Sequence, residues 1–411
     1  MCQTLGKDGT KVFLCIGLSM LCLLLWGGRR AEALDACQAD DVCAPGANPC
    51  VISSSYTINE GCTFDFGDRD VLLQANKTLT ISGCTLPVSF QAGSLTTQSG
   101  SVINGRNAGG DCGADISISV NRDFTHDGEL DVAGSAQPGS ITVVAGGSVF
   151  SRGKWFANAT TGDADGGSIS LSVSGDVSLD RSTKIDLHGG GDATGGDFEL
   201  AAAGNVTLNQ TIDASGGNFD GGFITIAAGG TLTMATTRAV TLTASATGEG
   251  YGGEIDLLSG GDMTLANASF TGTLDLHGGG GFEGFAGDGG YLTLESGGNL
   301  ILAAVTKVQG GSASETGGYG GDVDIFSEGN LEITANLNLF GGGPDGDGGF
   351  LTIVAGEDLL LSQTVDLSGN GVDSGGGDAD ISAGATISIT GSIDASGKSF
   401  GGGFVDIEAS S

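Results

Sequence analysis

Residues 223–253 read FITIAAGGTLTMATTRAVTLTASATGEGYGG. Three segments, FITIAA, GTLTM and AVTLTA, alternate apolar and polar residues. Such alternation marks strands that bury one face and expose the other. Across the units the breaks are Gly, Asn, Asp and Ser, which permit turns and positive φ. No helical period is present, and the glycine density opposes one. The same unit precedes and follows: GSISLSVSGDVSLDRSTKIDLHGGGDATGG (167–196), DFELAAAGNVTLNQTIDASGGNFDGG (197–222), then units opening YLTLE, DVDIF, FLTIV and DADIS. The first apolar strand residue recurs at Val88, Ile116, Ile141, Ile169, Phe198, Ile224, Ile255, Leu292, Val323, Leu351, Ala379 and Val405. The step from Ile255 to Leu292 is 37 residues, because of the loop LHGGGGFEGFAGDGG, and the other steps are 25–31.

Strands this short cannot bury a face alone, so each unit must stack on the next. Three strands per unit predict an all-β, three-sided parallel β-helix (a solenoid) of about 12 turns. Right-handed coiling is the default for parallel crossovers. At about 4.8 Å per turn the rod is roughly 60 Å long. Composition agrees. There are 79 glycines but 5 prolines, and aromatics make up 6% of the chain, which suits a narrow aliphatic core. The formal net charge of −34 argues against nucleic acid, whose phosphates need a basic partner face.

The two ends differ from the repeats. Lys7 and Lys11 precede the apolar run VFLCIGLSMLCLLLW (12–26), and Ala31-Glu32-Ala33 follows as a small-x-small site. Residues 1–33 are expected to be a cleaved signal peptide, the run being shorter than the ~20 residues of a membrane span. The mature chain then has no membrane span and is secreted, extracellular or at the cell surface. Six cysteines remain: Cys37, Cys43, Cys50, Cys62, Cys84 and Cys112. In an exported chain they read as disulfides, with residues 34–63 a Cys-rich N-terminal cap and 64–411 the β-helix. Cys84 and Cys112 are 28 residues apart, like Val88 and Ile116. They should sit at one position on adjacent turns and form a bond. The closing GGGFVDIEASS is one strand into a new turn. It is expected to be an open end, truncated from a longer protein or available for end-to-end docking.

These Gly-rich units, with their recurrent I-D-A-S-G-G corners, resemble the right-handed β-helices of filamentous-haemagglutinin-type adhesins and autotransporter passengers, of the pectin-lyase-like superfold. They resemble still more closely the large, uncharacterised exported β-helix proteins of environmental bacteria. The resemblance covers about residues 64–411. It implies an adhesive or structural role at the cell surface, with surface glycans or proteins as partners. A two-partner-secretion motif and C-terminal barrel strands of the adhesin pattern are not evident.

Candidate sites follow from the repeat. The aspartate of TIDASGG heads a column read as Asn104, Asp131, Asn158, Asp186, Asp213, Thr243, Asp275, Gln309, Asn338, Asp366 and Asp394. Flanking apolar residues point these side chains outward. A group that recurs on most turns suits a structural ladder, capping backbone N–H groups at each corner, better than catalysis. His188 and His277 replace the serine of this corner. Loops carrying Asp163, Asp165, Asp345 and Asp347 offer the oxygen-rich environment Ca²⁺ takes, so calcium is the one candidate cofactor. Phe282, Phe285 and Tyr319 are a candidate binding face for a glycan or protein. No catalytic constellation emerges: no nucleophile elbow, no unique carboxylate pair, and sparse basic residues. The chain is therefore expected to be non-enzymatic, with a polysaccharide lyase or hydrolase of the same superfold as the alternative and a calcium-stabilised matrix protein as a second.

Overall fold

The computed structural model describes residues 33–34, 37–180, 184–235, 237–267, 269–281 and 284–410. The expected leader lies outside them but for Ala33. The chain winds through three parallel sheets, referred to as faces 1, 2 and 3. Face 1 has 13 strands, from Thr63–Asp65 to Val405–Ala409. Face 2 has 13, from Cys50–Ile52 to Ile387–Ile389. Face 3 has 14, from Ala33–Leu34 to Ser392–Asp394. One turn runs Asp197–Ala202 on face 1, Val206–Leu208 on face 2 and Ile212–Asp213 on face 3, and Phe223–Ala228 opens the next. The result is an all-β, three-sided parallel solenoid of about twelve turns, as the alternation predicts.

Strand register explains the alternation. On face 1, Ile169 pairs with Phe198, Phe198 with Ile224, Ile224 with Ile255 and Ile255 with Leu292. All five are buried. Each aliphatic side chain removed from water stabilises the rod by roughly 1.5–3 kcal/mol before the cost of ordering the chain. Their neighbours at odd positions face solvent. Stacking like on like turns a 28-residue pattern into one continuous core.

The winding begins inside the Cys-rich segment. Cys50–Ile52 and Tyr56–Asn59 already join faces 2 and 3, one turn before Val88. The one described helix, Ala39–Val42, packs Ala39 and Val42 into the core at this end. Disulfides join Cys37 to Cys62, Cys43 to Cys50 and Cys84 to Cys112, the last with Cα atoms 6.1 Å apart on neighbouring turns. Three disulfides fit an oxidising compartment. Among the described residues no helix is long and apolar enough to cross a membrane.

The three corners are unequal. Faces 1 and 2 meet through a tight turn such as Ala203–Asn205, and faces 2 and 3 through one such as Asn209–Thr211. Faces 3 and 1 meet through the longer loops, which end in Gly-Gly. These glycines are required by close approach. A methyl group on Gly252 would lie 1.9 Å from the Leu276 carbonyl oxygen, and one on Gly253 would lie 2.0 Å from that of Gly222.

Candidate functional site

The aspartate column lies at the end of face 3. Its register is Asn104, Asp131, Phe156, Asp186, Asp213, Thr243, Asp275, Lys307, Asn338, Asp366 and Asp394. Phe156 and Lys307 therefore occupy the places expected for Asn158 and Gln309. The reason is local. The strands Lys154–Phe156 and Ala304–Lys307 end two residues earlier than a match on polar type suggests.

Each ladder aspartate reaches the residue two ahead of it. Asp213 Oδ1 accepts from Ser215 N at 3.2 Å and Ser215 Oγ at 2.6 Å, and Asp366 does the same with Ser368 at 3.1 and 2.6 Å. Asp131 accepts from Ala133 N and Asp394 from Ser396 N, both at 3.0 Å. At two corners histidine stands in the serine's place. His188 Nδ1 lies 2.6 Å from Asp186 Oδ1, and His277 Nδ1 lies 2.5 Å from Asp275 Oδ1.

A lysine completes each histidine corner. Lys184 Nζ bridges Asp186 at 3.2 Å and Asp213 at 2.7 Å, and Lys307 Nζ lies 3.3 Å from Asp275. The hydrogen bond to Asp186 raises the His188 pKa against the opposing effect of burial. Burial pushes Asp213 upward, but the Lys184 and Ser215 hydrogen bonds outweigh it and hold its carboxyl below the ordinary value. Asp275 is likewise lowered against burial, by His277 and Lys307. Asp131, half-buried beside Arg106, is raised, with desolvation the leading cause.

Among the described residues, Asp186, His188 and Asp213 are the group whose potential ligand atoms come within 4.8 Å of one another. The Lys184 ammonium already sits between both carboxylates and offsets one of their two charges. The loop aspartates each accept from a backbone amide. Asp163 accepts from Asp192 N, Asp165 from Thr194 N, Asp345 from Gly317 N and Asp347 from Gly375 N, at 2.6–3.2 Å. Each ties its loop to a neighbouring turn.

Of the aromatic trio, Phe282 lies outside the described residues. Phe285 is exposed on the loop whose Gly284 carbonyl accepts from Glu315 N and Thr316 N. Tyr319 is at a Gly-Gly corner, where its N–H bonds Asp288 Oδ1 at 2.7 Å.

Two arrangements were not foreseen from the sequence. The first is a second polar ladder between faces 1 and 2. Asp176 accepts from Asn205 N, Asn205 from Thr231 N, Asp262 from Asn299 N and Asp358 from Thr386 N, at 2.7–3.0 Å. Its signal is the Gly-Asp or Gly-Asn ahead of the middle strand, with Glu-Asp at Asp358. The second is a buried polar knot. His126 Nδ1 meets Thr97 Oγ1 at 2.7 Å, and Trp155 Nε1 donates to Ser151 Oγ at 2.9 Å. Both are fully buried hydrogen-bonded groups of the core.

Comparison with protein-family models, curated proteins and solved structures returned no match to this chain.

Proposed function

We propose that the protein is an extracellular, non-catalytic β-solenoid rod with an adhesive or structural role, of the kind its resemblance to surface adhesins implies. The observation that supports this most is how the carboxylates are used. They recur turn by turn, and in both ladders they cap backbone amides of their own corner or of the next turn. Their chemistry serves the rod. A lyase or hydrolase concentrates its reacting groups at one place, and here the polar groups are distributed along the whole length. Disulfides at the N-terminal end suit a molecule that works outside the reducing cytoplasm.

The test has two arms. Protease treatment of intact producing cells should remove the chain, placing it outside. The purified chain, incubated with pectin, alginate and β-glucans, should release neither reducing ends nor unsaturated uronates. Steady product release from any of them would overturn the non-catalytic assignment.

A further inference from the structure

The edge between faces 3 and 1 carries a pattern with a period of two turns. Two positions flank every Gly-Gly pair. The one after it is the first outward residue of face 1, and register stacks it as Asp197, Phe223, Glu254, Tyr291, Asp322, Phe350 and Asp378. Acid and aromatic alternate without exception. The position before the pair runs in the opposite phase: Asp220, Tyr251, Asp288, Tyr319, Asp347. Here Tyr251 N donates to Asp220 Oδ1 at 2.9 Å and Tyr319 N to Asp288 Oδ1 at 2.7 Å.

Every turn from Phe223 to Phe350 thus presents one ring and one carboxylate, exchanged between columns at each step. Phe223, Tyr251, Tyr291, Tyr319 and Phe350 are 52–59% exposed. Three of the four tyrosines of the chain are in this strip. A groove of about 480 Å³ runs between Phe223, Tyr251, Glu254, Asp288 and Tyr291. Core packing cannot explain rings that face water, and a ladder role cannot explain their alternation with acids.

The geometry points to the occupant. Rings in one column repeat every second turn, about 9.6 Å apart, and the strip from Phe223 to Phe350 is about 19 Å long. An extended β-1,4-linked pyranose chain also repeats every two sugars on this length scale, because alternate rings are flipped. Its C–H faces stack on aromatic rings. The carboxylates select among such chains. Arg238 and Lys307 are the lysine and arginine residues between 220 and 378, and each is already paired, with Asp180 and Asp275. Among the described residues no ion pair involves a strip carboxylate.

We propose that this strip binds a linear β-linked amino-sugar polymer, its pyranose faces on the rings and its ammonium groups on the carboxylates between them. The proposal rests on the adhesive reading above and names its ligand class. Desolvation leads in raising Asp197, Glu254, Asp288 and Asp322, and Asp256 and Asp324 add repulsion at Glu254 and Asp322. A cation brought to these groups relieves that cost.

Calorimetry on the full chain tests this, with chitosan hexamer, cellohexaose and polylysine as probes in mildly acidic buffer, where sugar amines are protonated. Chitosan hexamer should bind, and cellohexaose at least about tenfold more weakly. The double substitution Tyr251→Ala/Tyr291→Ala should weaken chitosan binding about tenfold at unchanged melting temperature, from two lost ring contacts. Phe326→Ala, an exposed ring off the strip, should leave affinity unchanged. Gly375 stands where the strip lacks a ring, and a Cβ there meets nothing closer than Asp347 Oδ1 at 3.5 Å. Gly375→Tyr should tighten binding of longer oligomers. Several results would overturn the proposal: no chitosan binding, cellohexaose binding as tight, chitosan binding untouched by the double substitution, polylysine binding weakened equally by it, or an effect of the strip on self-association alone. Each of these leaves surface exposure and the absence of product release, which test the adhesive rod, to be judged separately.

Discussion

At the residue scale, the histidine corners show how a repeat absorbs a change of side chain. His188 Nδ1 takes the position that serine Oγ holds at Asp213 and Asp366. The exchange adds a titration. The folded pKa of His188 is raised above its unfolded value, chiefly by its hydrogen bond to Asp186. Its contribution to stability is therefore complete below the unfolded value of about 6.5 and is lost as pH rises through the folded value. His188→Ser keeps the cap and removes the titration. Wild type should exceed this variant in unfolding free energy more in acid than in alkali, by a few tenths of a kcal/mol at this half-exposed corner, as measured by denaturant unfolding at both pH values. A difference that does not vary with pH would disprove it. The corner aspartates were legible because Asp213, Asp366 and Asp394 share one motif. Lys307 was not, because its charge complements the Asp275 below it, and a column read by polar type passes over a complement.

At the scale of the element, the strands were legible and the corners less so. Ile224, Ile226 and Ala228 alternate with Phe223, Thr225 and Ala227 because one face of the strand must be dry, and that constraint is written in every turn. The first turn escaped notice because Cys50–Ile52 is three residues long and sits among cysteines and prolines that read as a cap. The Gly-Gly corners are under an equally strict constraint, but glycine abundance hides which glycines obey it. Gly252→Ala places a methyl 1.9 Å from the Leu276 carbonyl oxygen, whereas at Gly375 the nearest atom is 3.5 Å away. The first change should cost about 3 kcal/mol through overpacking against backbone. Gly375→Ala should stay within about 0.5 kcal/mol of wild type. Equilibrium unfolding of the two variants checks this, and equal effects would mean that the corner is not set by contact between turns.

At the scale of the whole molecule, stability is a sum over neighbouring turns. The disulfides reinforce that sum at one end, where Cys84–Cys112 links two turns directly. Beyond them the rod is held by its core and its two polar ladders. The acid–aromatic strip is a property of this scale. A one-turn alignment sets Phe223 beside Glu254 and averages them into noise, because the outward position has no packing constraint to fix its type. Only a two-turn alignment makes it visible.

That alternation has a consequence for how such a rod can change length. Loss of residues 251–287 removes one turn and brings Asp220 against Asp288 and Phe223 against Tyr291. Loss of residues 251–318 removes two and restores acid beside ring, with Tyr319 above Asp220 and Asp322 above Phe223. Like charges on directly opposed strand positions cost about 0.2–1 kcal/mol a pair. The one-turn deletion should lose more stability per turn removed than the two-turn deletion, and an equal loss per turn would show that the strip imposes no parity. Inheritance would then act on this protein by even numbers: duplications and losses of turn pairs persist, and odd ones leave a seam.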